Sequence, residues 1–164
     1  MDFQIEKVSK EKSEILKNLL EYYQYDFNVY YNEDLNENGR FESIDIQLYF
    51  ENEHSQALFI KVKEKYAGFI LISNNTKYTE EGKCIEEFWI MPKYRKGMFA
   101  FKILKKVFNQ INGRLEFIVL KRNERWLETL NYWIEKNYKI LKKCDIEKWD
   151  EQFTLFVIDA KNKY

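Results

Sequence analysis

The fold is decided by one segment, Phe88-Trp89-Ile90-Met91-Pro92-Lys93-Tyr94-Arg95-Lys96-Gly97-Met98-Phe99-Ala100. Its pattern predicts a buried strand, a tight basic turn and the start of an amphipathic helix. Pro92, the only proline of the chain, is expected to end the strand because it has no N–H to donate to a ladder. From Arg95 onward the turn combines two cations with the first backbone N–H groups of the helix. Because these N–H groups have no partner inside the helix and the helix dipole favours negative charge there, the turn is predicted to hold an anion such as a phosphate.

This segment resembles the acyl-coenzyme A site of the GCN5-related N-acetyltransferase (GNAT) superfamily. In that family the strand is followed by [Gln/Arg]-x-x-Gly-x-[Gly/Ala], whose backbone holds the pyrophosphate of coenzyme A. The pattern falls without a gap on Arg95, Met98 and Ala100, with methionine where glycine is usual. A register shifted by one residue places Gly97 on the glycine position but loses the arginine, so the ungapped register is preferred. Taken alone, the turn is equally compatible with an ordinary strand-to-helix connection carrying solvated cations.

The resemblance implies acetyl-coenzyme A as co-substrate and gives roles to individual positions. The strand backbone near Ile90 is expected to serve the acyl and pantetheine end, and Lys96 to add a point charge at the pyrophosphate. Asn123 matches a position that touches the pantetheine arm. Trp133 stands where the family has a tyrosine acid, and since an indole N–H does not give up its proton, it is interpreted as a packing residue or a lid on the cofactor. The expected cofactor-binding residues are Trp89, Ile90, Met91, Arg95, Lys96, Gly97, Met98, Phe99, Ala100, Asn123 and Trp133.

Composition indicates one globular domain spanning residues 1–164, of which 45% are hydrophobic and 33% charged. The 27 basic and 27 acidic residues cancel, which argues against a nucleic-acid partner. No apolar run approaches the roughly 20 residues that span a bilayer, and no signal sequence is evident, so no membrane partner and a cytoplasmic location are expected. Cys84 and Cys144 are distant in sequence and have no histidine cluster beside them, so reduced thiols are expected and no metal site.

The order of elements resembles that of the GNAT fold. It implies an α/β (α+β) protein with a mixed, mostly antiparallel central sheet of six to seven strands flanked by about four helices. The family's motif strand also splays from the strand that follows its helix. The predicted strands are residues 3–8, 56–63, 66–73, 83–91, 114–120, 138–142 and 153–158, with a Glu64-Lys65 turn between the second and third. The predicted helices begin at Ser13 or just before it, near Ala100 (ending about Asn112), and at an Asn123 cap (ending at a left-handed Asn137). Residues 44–50 are predicted as a short helix, with a strand as the alternative.

The implied reaction is direct attack of an amine on a thioester, which requires a base because amines arrive mostly protonated. Glu87 is the candidate general base, since relatives with a Glu-Phe-hydrophobic sequence keep a carboxylate at this point of the motif strand. Glu86 is a weaker candidate, because adjacent strand residues point to opposite faces. The alternative is that Glu87 pairs with a lysine or lies at the sheet rim.

The N-terminal half is expected to form the acceptor site for a small-molecule or peptide amine. Aromatic faces and carboxylates suit a cationic amine, and Tyr23, Asp26, Phe27 and Tyr30 are the candidates. The competing interpretation places the aromatic residues in the core and the acids in solvent. Residues 15–41 resemble one group of predicted bacterial acetyltransferases. The exposed aromatic residues expected here are compatible with a homodimer.

Three function classes remain open at this level. The first is an N-acetyltransferase that uses acetyl-coenzyme A. The others are a non-catalytic acyl-coenzyme A binder and a structural or interaction module on a degenerate GNAT fold, both motivated by Met98 and Trp133.

Overall fold

The computed structural model describes residues 1–161, which form seven strands and four helices. The strands are β1 Gln4–Lys7, β2 Gln56–Val62, β3 Lys65–Ser73, β4 Lys83–Ile90, β5 Arg114–Leu120, β6 Lys139–Lys148 and β7 Glu151–Asp159. The helices are α1 Ser13–Tyr31, α2 Leu48–Glu51, α3 Phe99–Phe108 and α4 Glu124–Asn137.

The strands form one sheet in the order β1-β2-β3-β4-β5-β7-β6. The pair β4–β5 is parallel, whereas β1–β2, β2–β3, β5–β7 and β6–β7 are antiparallel. A parallel pair requires a crossover, and α3 lies in the chain between β4 and β5. The predicted architecture, a mostly antiparallel sheet with four helices, is confirmed.

The chain divides into two compact units. The N-terminal unit comprises Met1–Ile72 and Glu87–Tyr94, and the C-terminal unit comprises Ser73–Glu86 and the chain from Arg95 onward. Strand β4 contributes its first half to the C-terminal unit and its second half to the N-terminal unit.

The core of the N-terminal unit is built from one face of α1 and the strands β2 and β3. Leu16, Leu19 and Leu20 of α1 are 0–7% exposed, as the helical spacing of its apolar residues predicts. They pack in one apolar cluster with Phe59 of β2 and Phe69 of β3. Burying a side chain of this size stabilises the fold by about 1.5–3 kcal/mol, so this stripe fixes which face of α1 packs inward.

The β2–β3 hairpin turns one residue earlier than predicted. Val62 pairs with Lys65, and Lys63 and Glu64 both have positive φ angles, of 49° and 60°. Two left-handed residues in a two-residue loop match the twist of the flanking strands, and this turn normally uses Asn-Gly or Asp-Gly. The predicted Glu64-Lys65 turn was wrong because no glycine marks the two turn positions.

The core of the C-terminal unit is formed by α3, α4 and the strands β5 and β7. The apolar stripe of α3 is buried as predicted, with Ile103, Val107 and Phe108 at most 1% exposed. Phe117 of β5 stacks on Phe156 of β7 at a ring distance of 5.3 Å. Strand β5 has the predicted bounds, Arg114–Leu120, and pairs with β7 along all seven residues.

Both long helices of this unit end differently from the prediction. α3 stops at Phe108 rather than near Asn112, because the N–H groups of Gln110 and Ile111 bond three residues back and tighten the chain into a turn. Asn137 is not left-handed but is the last residue of α4, and its side-chain amide donates to the Trp133 carbonyl at 2.8 Å. The next residue, Tyr138, is already extended, so the chain passes from helix to strand without a left-handed residue.

The last two strands are longer than predicted, at Lys139–Lys148 and Glu151–Asp159. β6 is the edge strand of the sheet, and most of its side chains are exposed or half-buried. Charged residues protect an exposed edge from further strand pairing, and they also removed the apolar alternation by which a strand is recognised.

Candidate active site

Glu87 lies in β4 and accepts a hydrogen bond from the phenol of Tyr23 on α1, at its Oε2 atom. Both residues belong to the N-terminal unit. Burial raises the pKa of Tyr23 well above its ordinary value, and the charge and hydrogen bond of Glu87 act in the same direction. Tyr23 is therefore a protonated donor, and the carboxylate is the acceptor. The structure thus brings a candidate base and a candidate acceptor residue together.

A second hydrogen bond joins the same helix and strand. The indole Nε1 of Trp89 donates to Oδ2 of Asp26 at 3.0 Å. Asp26 lies three residues after Tyr23, on the same face of α1, and Trp89 lies two residues after Glu87, on the same face of β4. We call these two hydrogen bonds, Tyr23–Glu87 and Trp89–Asp26, the helix–strand clamp.

The aromatic candidates of α1 form a continuous series of rings. Phe27 lies 4.8 Å from Tyr23 and 5.8 Å from Tyr30, centroid to centroid. Tyr23 also meets the edge of Phe69, a residue of the apolar cluster, at 5.8 Å. The Tyr23 ring therefore packs against the core, as the competing interpretation held, while its hydroxyl is directed to Glu87.

Glu86 has a different environment from Glu87. Its Oε1 accepts a hydrogen bond from the Ser73 hydroxyl at 2.7 Å, and both residues belong to the C-terminal unit. Glu87 is thus bonded to α1, whereas Glu86 is bonded to the end of β3.

The backbone at the end of β4 is partly committed to the sheet. The Met91 N–H donates to the Ala67 carbonyl at 2.8 Å, and the Met91 carbonyl accepts from Tyr94 at 2.8 Å. The backbone of β3 also approaches closely, because a Cβ added at Gly68 would lie 2.1 Å from the Trp89 carbonyl oxygen.

The parallel pairing of β4 with β5 is short. In the part of the chain that the structure describes, it consists of Lys83 with Leu115 and Cys84 with Glu116. The antiparallel pairing of β5 with β7, by contrast, continues from Arg114 to Leu120. Among the described residues, this ladder therefore involves only the first residues of β4.

The basic turn leads directly into α3. Gly97 has the left-handed angle φ 60°, and a Cβ added there would have no heavy atom within 4 Å. Met98 is the N-cap residue of α3, with φ −93° and ψ 23°. The Met98 side chain makes no capping hydrogen bond, and the Lys102 N–H donates to the Met98 carbonyl at 3.0 Å. The N–H groups of the first turn, including that of Ala100, precede this bond and have no acceptor within the helix. The turn thus needs its glycine at position 97, whereas Met98 has a negative φ, which a side chain permits.

Two further predicted cofactor residues have structural environments of their own. Trp133 is 9% exposed and packs against Phe101 and Phe108, at ring distances of 5.0 and 5.9 Å. This favours packing over a lid. Asn123 is the N-cap residue of α4, at the predicted position, but its side chain makes no capping hydrogen bond. Its carbonyl accepts the Leu127 N–H instead.

Glu116 was missed in the sequence. Its carboxylate is 2% exposed and accepts the backbone N–H groups of Lys77 and Tyr78, at 2.7 and 3.0 Å. It thereby fixes the loop that precedes β4. The signal was present, because Glu116 is the one charged residue in the run from Leu115 to Leu120. The neighbouring thiol of Cys84 is kept protonated, since burial first and then the charges of Glu86 and Glu116 raise its pKa.

Over residues 1–161, no group of three or more His, Cys, Asp and Glu side chains is arranged to hold a metal ion. Within the same range, the helices lack the length and apolar character that crossing a membrane requires.

Comparison with known proteins identifies the fold. No family model matches the sequence, and no curated protein matches it significantly. Solved structures do match. A GNAT-family acetyltransferase from Bacillus cereus superposes with a TM-score of 0.63 at 10% identity, covering 97% of this chain and 98% of the other.

Two further structures superpose over nearly their whole lengths. Spermidine N-acetyltransferase from Vibrio cholerae, in complex with CoA and spermine, gives a TM-score of 0.67 at 11% identity, covering 97% of this chain and 96% of its own. An N-acetyltransferase from Staphylococcus aureus gives 0.64 at 12% identity, with 98% and 99% covered. The chain therefore has the fold of the GNAT superfamily.

Proposed function

We propose that this protein is an N-acetyltransferase that moves an acetyl group from acetyl-coenzyme A to a primary amine. The observation that carries the proposal is the N-terminus of α3, whose N-cap residue Met98 makes no side-chain capping hydrogen bond and which Arg95 and Lys96 precede. In this fold it follows the strand that carries Glu87, and solved GNAT structures include complexes with CoA.

The C-terminal unit is suited to the phosphate-bearing co-substrate. Arg95 can pair with a phosphate through two parallel N–H bonds, and the first-turn amides of α3 add donors with the positive end of the helix dipole. Gly97 lets the chain turn into the helix without a side chain at the left-handed position. The backbone near Ile90 is assigned to the pantetheine arm by the resemblance to the GNAT motif strand.

The two units carry opposite net charges, although the net charge of the whole chain is zero. The N-terminal unit contains nine basic and fifteen acidic residues (−6), and the C-terminal unit eighteen basic and twelve acidic (+6), which together are the 27 of each sign. Between Lys17 and Lys61 there are nine acidic residues and one basic residue, Arg40. An electronegative surface attracts cations and raises their rate of association, so this unit favours a positively charged acceptor.

The acceptor class that fits best is an amine with further positive charge, such as a polyamine. Asp26 and Glu87 lie in the clamp with aromatic rings beside them, and aromatic faces attract cations. The spermine bound in the Vibrio cholerae neighbour is an example of such a ligand on this fold.

Proton balance assigns one role to Glu87. The acceptor enters as an ammonium group with three protons, of which one remains on the product amide. Glu87 takes one as general base, freeing the lone pair that forms the C–N bond. The C–S bond breaks, and the leaving sulfur takes the last proton. A thiolate with an ordinary pKa near 8.5 leaves readily, so the reaction does not depend on a tyrosine acid at the position of Trp133.

Isothermal titration of acetyl-coenzyme A tests the co-substrate half of the proposal. We expect micromolar binding by the wild type, weakened in Arg95→Ala. Binding absent in the wild type and restored in Met98→Gly would mean that the methionine side chain closes the site, and the enzyme proposal would be wrong.

Turnover separates the enzyme from a non-catalytic acyl-coenzyme A binder. With a panel of polyamines, aminoglycosides, amino acids and peptides, we expect thiol release that matches the acetylated amine. Tight binding of acetyl-coenzyme A without transfer to any amine would support the binder instead.

A further inference from the structure

The geometry points to Tyr23 as a positioning residue for the proposed reaction: its phenol holds the Glu87 carboxylate in the orientation in which Glu87 acts as base. The sequence alone had suggested Tyr23 as an acceptor-binding residue. This inference rests on the proposed function, and it concerns a side chain that acts through Glu87 rather than on the amine.

The Tyr23 ring is held by packing on two sides. Phe27 lies 4.8 Å away in a tilted arrangement, and Phe69 meets it edge-on at 5.8 Å. Such aromatic contacts restrict the ring, and the phenol oxygen is its only polar atom. A restrained ring places this oxygen at one point relative to β4, which is what a positioning group requires.

The direction of the hydrogen bond is fixed by protonation. Because burial and the charge of Glu87 raise the pKa of Tyr23 well above its ordinary value, the phenol keeps its proton wherever an amine acetyltransferase would work. Tyr23 therefore donates at all such pH values. A carboxylate has about four lone-pair sites, so the bond to Tyr23 leaves Glu87 capacity to accept a proton.

The other half of the clamp holds the strand itself. Trp89 donates to Asp26, so the donor here lies on the strand and the acceptor on the helix, opposite to the Tyr23–Glu87 bond. Two bonds of opposite direction, two residues apart on β4 and three apart on α1, restrain both sliding and rotation between the elements. Misplacing a reacting group by 1 Å can cost about a hundredfold in rate, so this restraint has catalytic value.

Tyr23→Phe is the direct test, because it keeps the ring on Phe27 and Phe69 and removes only the hydroxyl. We expect kcat to fall about tenfold while the KM for the amine changes by less than about twofold. Tyr25→Phe is the matched control, since Tyr25 lies on the same helix and is 76% exposed. A rise in the amine KM at constant kcat would overturn the inference and return Tyr23 to acceptor binding.

A double-mutant cycle with Glu87→Gln separates positioning from general stability. If Tyr23 acts through Glu87, adding Tyr23→Phe to Glu87→Gln lowers kcat no further. If the two losses multiply, Tyr23 acts independently and the inference is wrong. Thermal melting of all four proteins shows whether each is folded at the assay temperature.

A readout that needs no turnover keeps this inference distinguishable from the proposed function. In protein labelled with ¹³C at the tyrosine phenol carbon, the Tyr23 signal is the one missing from Tyr23→Phe. We expect it to stay un-ionised where exposed tyrosines titrate, and to ionise at lower pH in Glu87→Gln. A Tyr23 titration unaffected by Glu87→Gln would refute the contact, whereas the expected titration in a protein that acetylates no amine would reject only the proposed function.

Discussion

The two units of this chain differ in charge, and each has the charge opposite to that of the ligand proposed for it. The N-terminal unit carries −6, with Glu87 and Asp26 in the clamp, and the C-terminal unit carries +6, with Arg95 and Lys96 at the start of α3. A cationic acceptor and an anionic co-substrate would thus be attracted by different parts of the molecule. The zero net charge of the whole chain is therefore a poor guide to its partners.

The largest effect is expected at Glu87, because the N-terminal unit is proposed to supply the general base. We expect Glu87→Gln to lower kcat about a hundredfold or more, as for loss of a general base, and to leave acetyl-coenzyme A affinity unchanged. The measurement is thiol release at saturating co-substrate. Glu86→Gln is the matched control, because this adjacent carboxylate is bonded to Ser73, and we expect it to remain within about threefold of wild type. Equal losses in both variants would contradict the assignment.

Arg95→Ala tests whether the C-terminal unit binds the phosphates of acetyl-coenzyme A. Because hydrogen bonds to charged groups are worth about 1.5–3 kcal/mol, we expect the Kd for acetyl-coenzyme A to rise at least about tenfold. Calorimetry at two salt concentrations should also show a weaker salt dependence in the variant. Lys93→Ala, from the exposed part of the same segment but in the N-terminal unit, is the control and should bind like wild type. If Lys93→Ala weakens acetyl-coenzyme A binding and Arg95→Ala does not, the phosphates bind away from Arg95.

The separate roles of Gly97 and Met98 in the turn are tested by comparing Gly97→Ala with Met98→Gly. Alanine at φ 60° costs about 1–2 kcal/mol, so Gly97→Ala should lower the free energy of unfolding by that amount. Met98→Gly should change the Kd for acetyl-coenzyme A by less than about threefold, since the Met98 side chain is 54% exposed and its φ is negative. Denaturant unfolding and calorimetry give the two quantities. A larger gain in affinity in Met98→Gly would show that the methionine obstructs the site.

The last prediction concerns the reactivity of the Cys84 thiol, for which almost no alkylation is expected in the folded protein. Its pKa is raised by burial and by Glu86 and Glu116, so it remains a thiol at pH 8 and should resist iodoacetamide. Mass spectrometry after brief alkylation should find Cys84 unmodified in the folded protein and modified after denaturation. Rapid alkylation of Cys84 in the folded state would mean that the start of β4 is open to solvent.

The elements that the sequence predicted well are those with a strong local signal. Apolar spacing identified α1 from Ser13, and Pro92 marked the end of β4. The failures occurred where local signals were missing or misleading. Lys63 and Glu64 adopt left-handed angles without a glycine, and Asn137, a residue tolerant of such angles, is helical. The solvent-exposed edge strand β6 carried too many charges to be predicted in full.

The site was predicted as a set of residues but not as a set of contacts. Tyr23, Asp26, Glu87 and Trp89 were all chosen from the sequence, with no indication that they form two hydrogen bonds to one another. The partners are 64 and 63 residues apart in the chain, and pairing over such distances follows from how α1 packs on the sheet rather than from local pattern. The buried Glu116 was missed for the same reason, because its partners are backbone groups of a distant loop.

Acetyl transfer to a polyamine can be measured by incubating the protein with acetyl-coenzyme A and the polyamine and quantifying both the released thiol and the acetylated amine. We expect one thiol released for each amine acetylated by the wild type, with transfer lost and acetyl-coenzyme A binding retained in Glu87→Gln. Wild-type protein that binds acetyl-coenzyme A but does not acetylate the polyamine would contradict the proposed function.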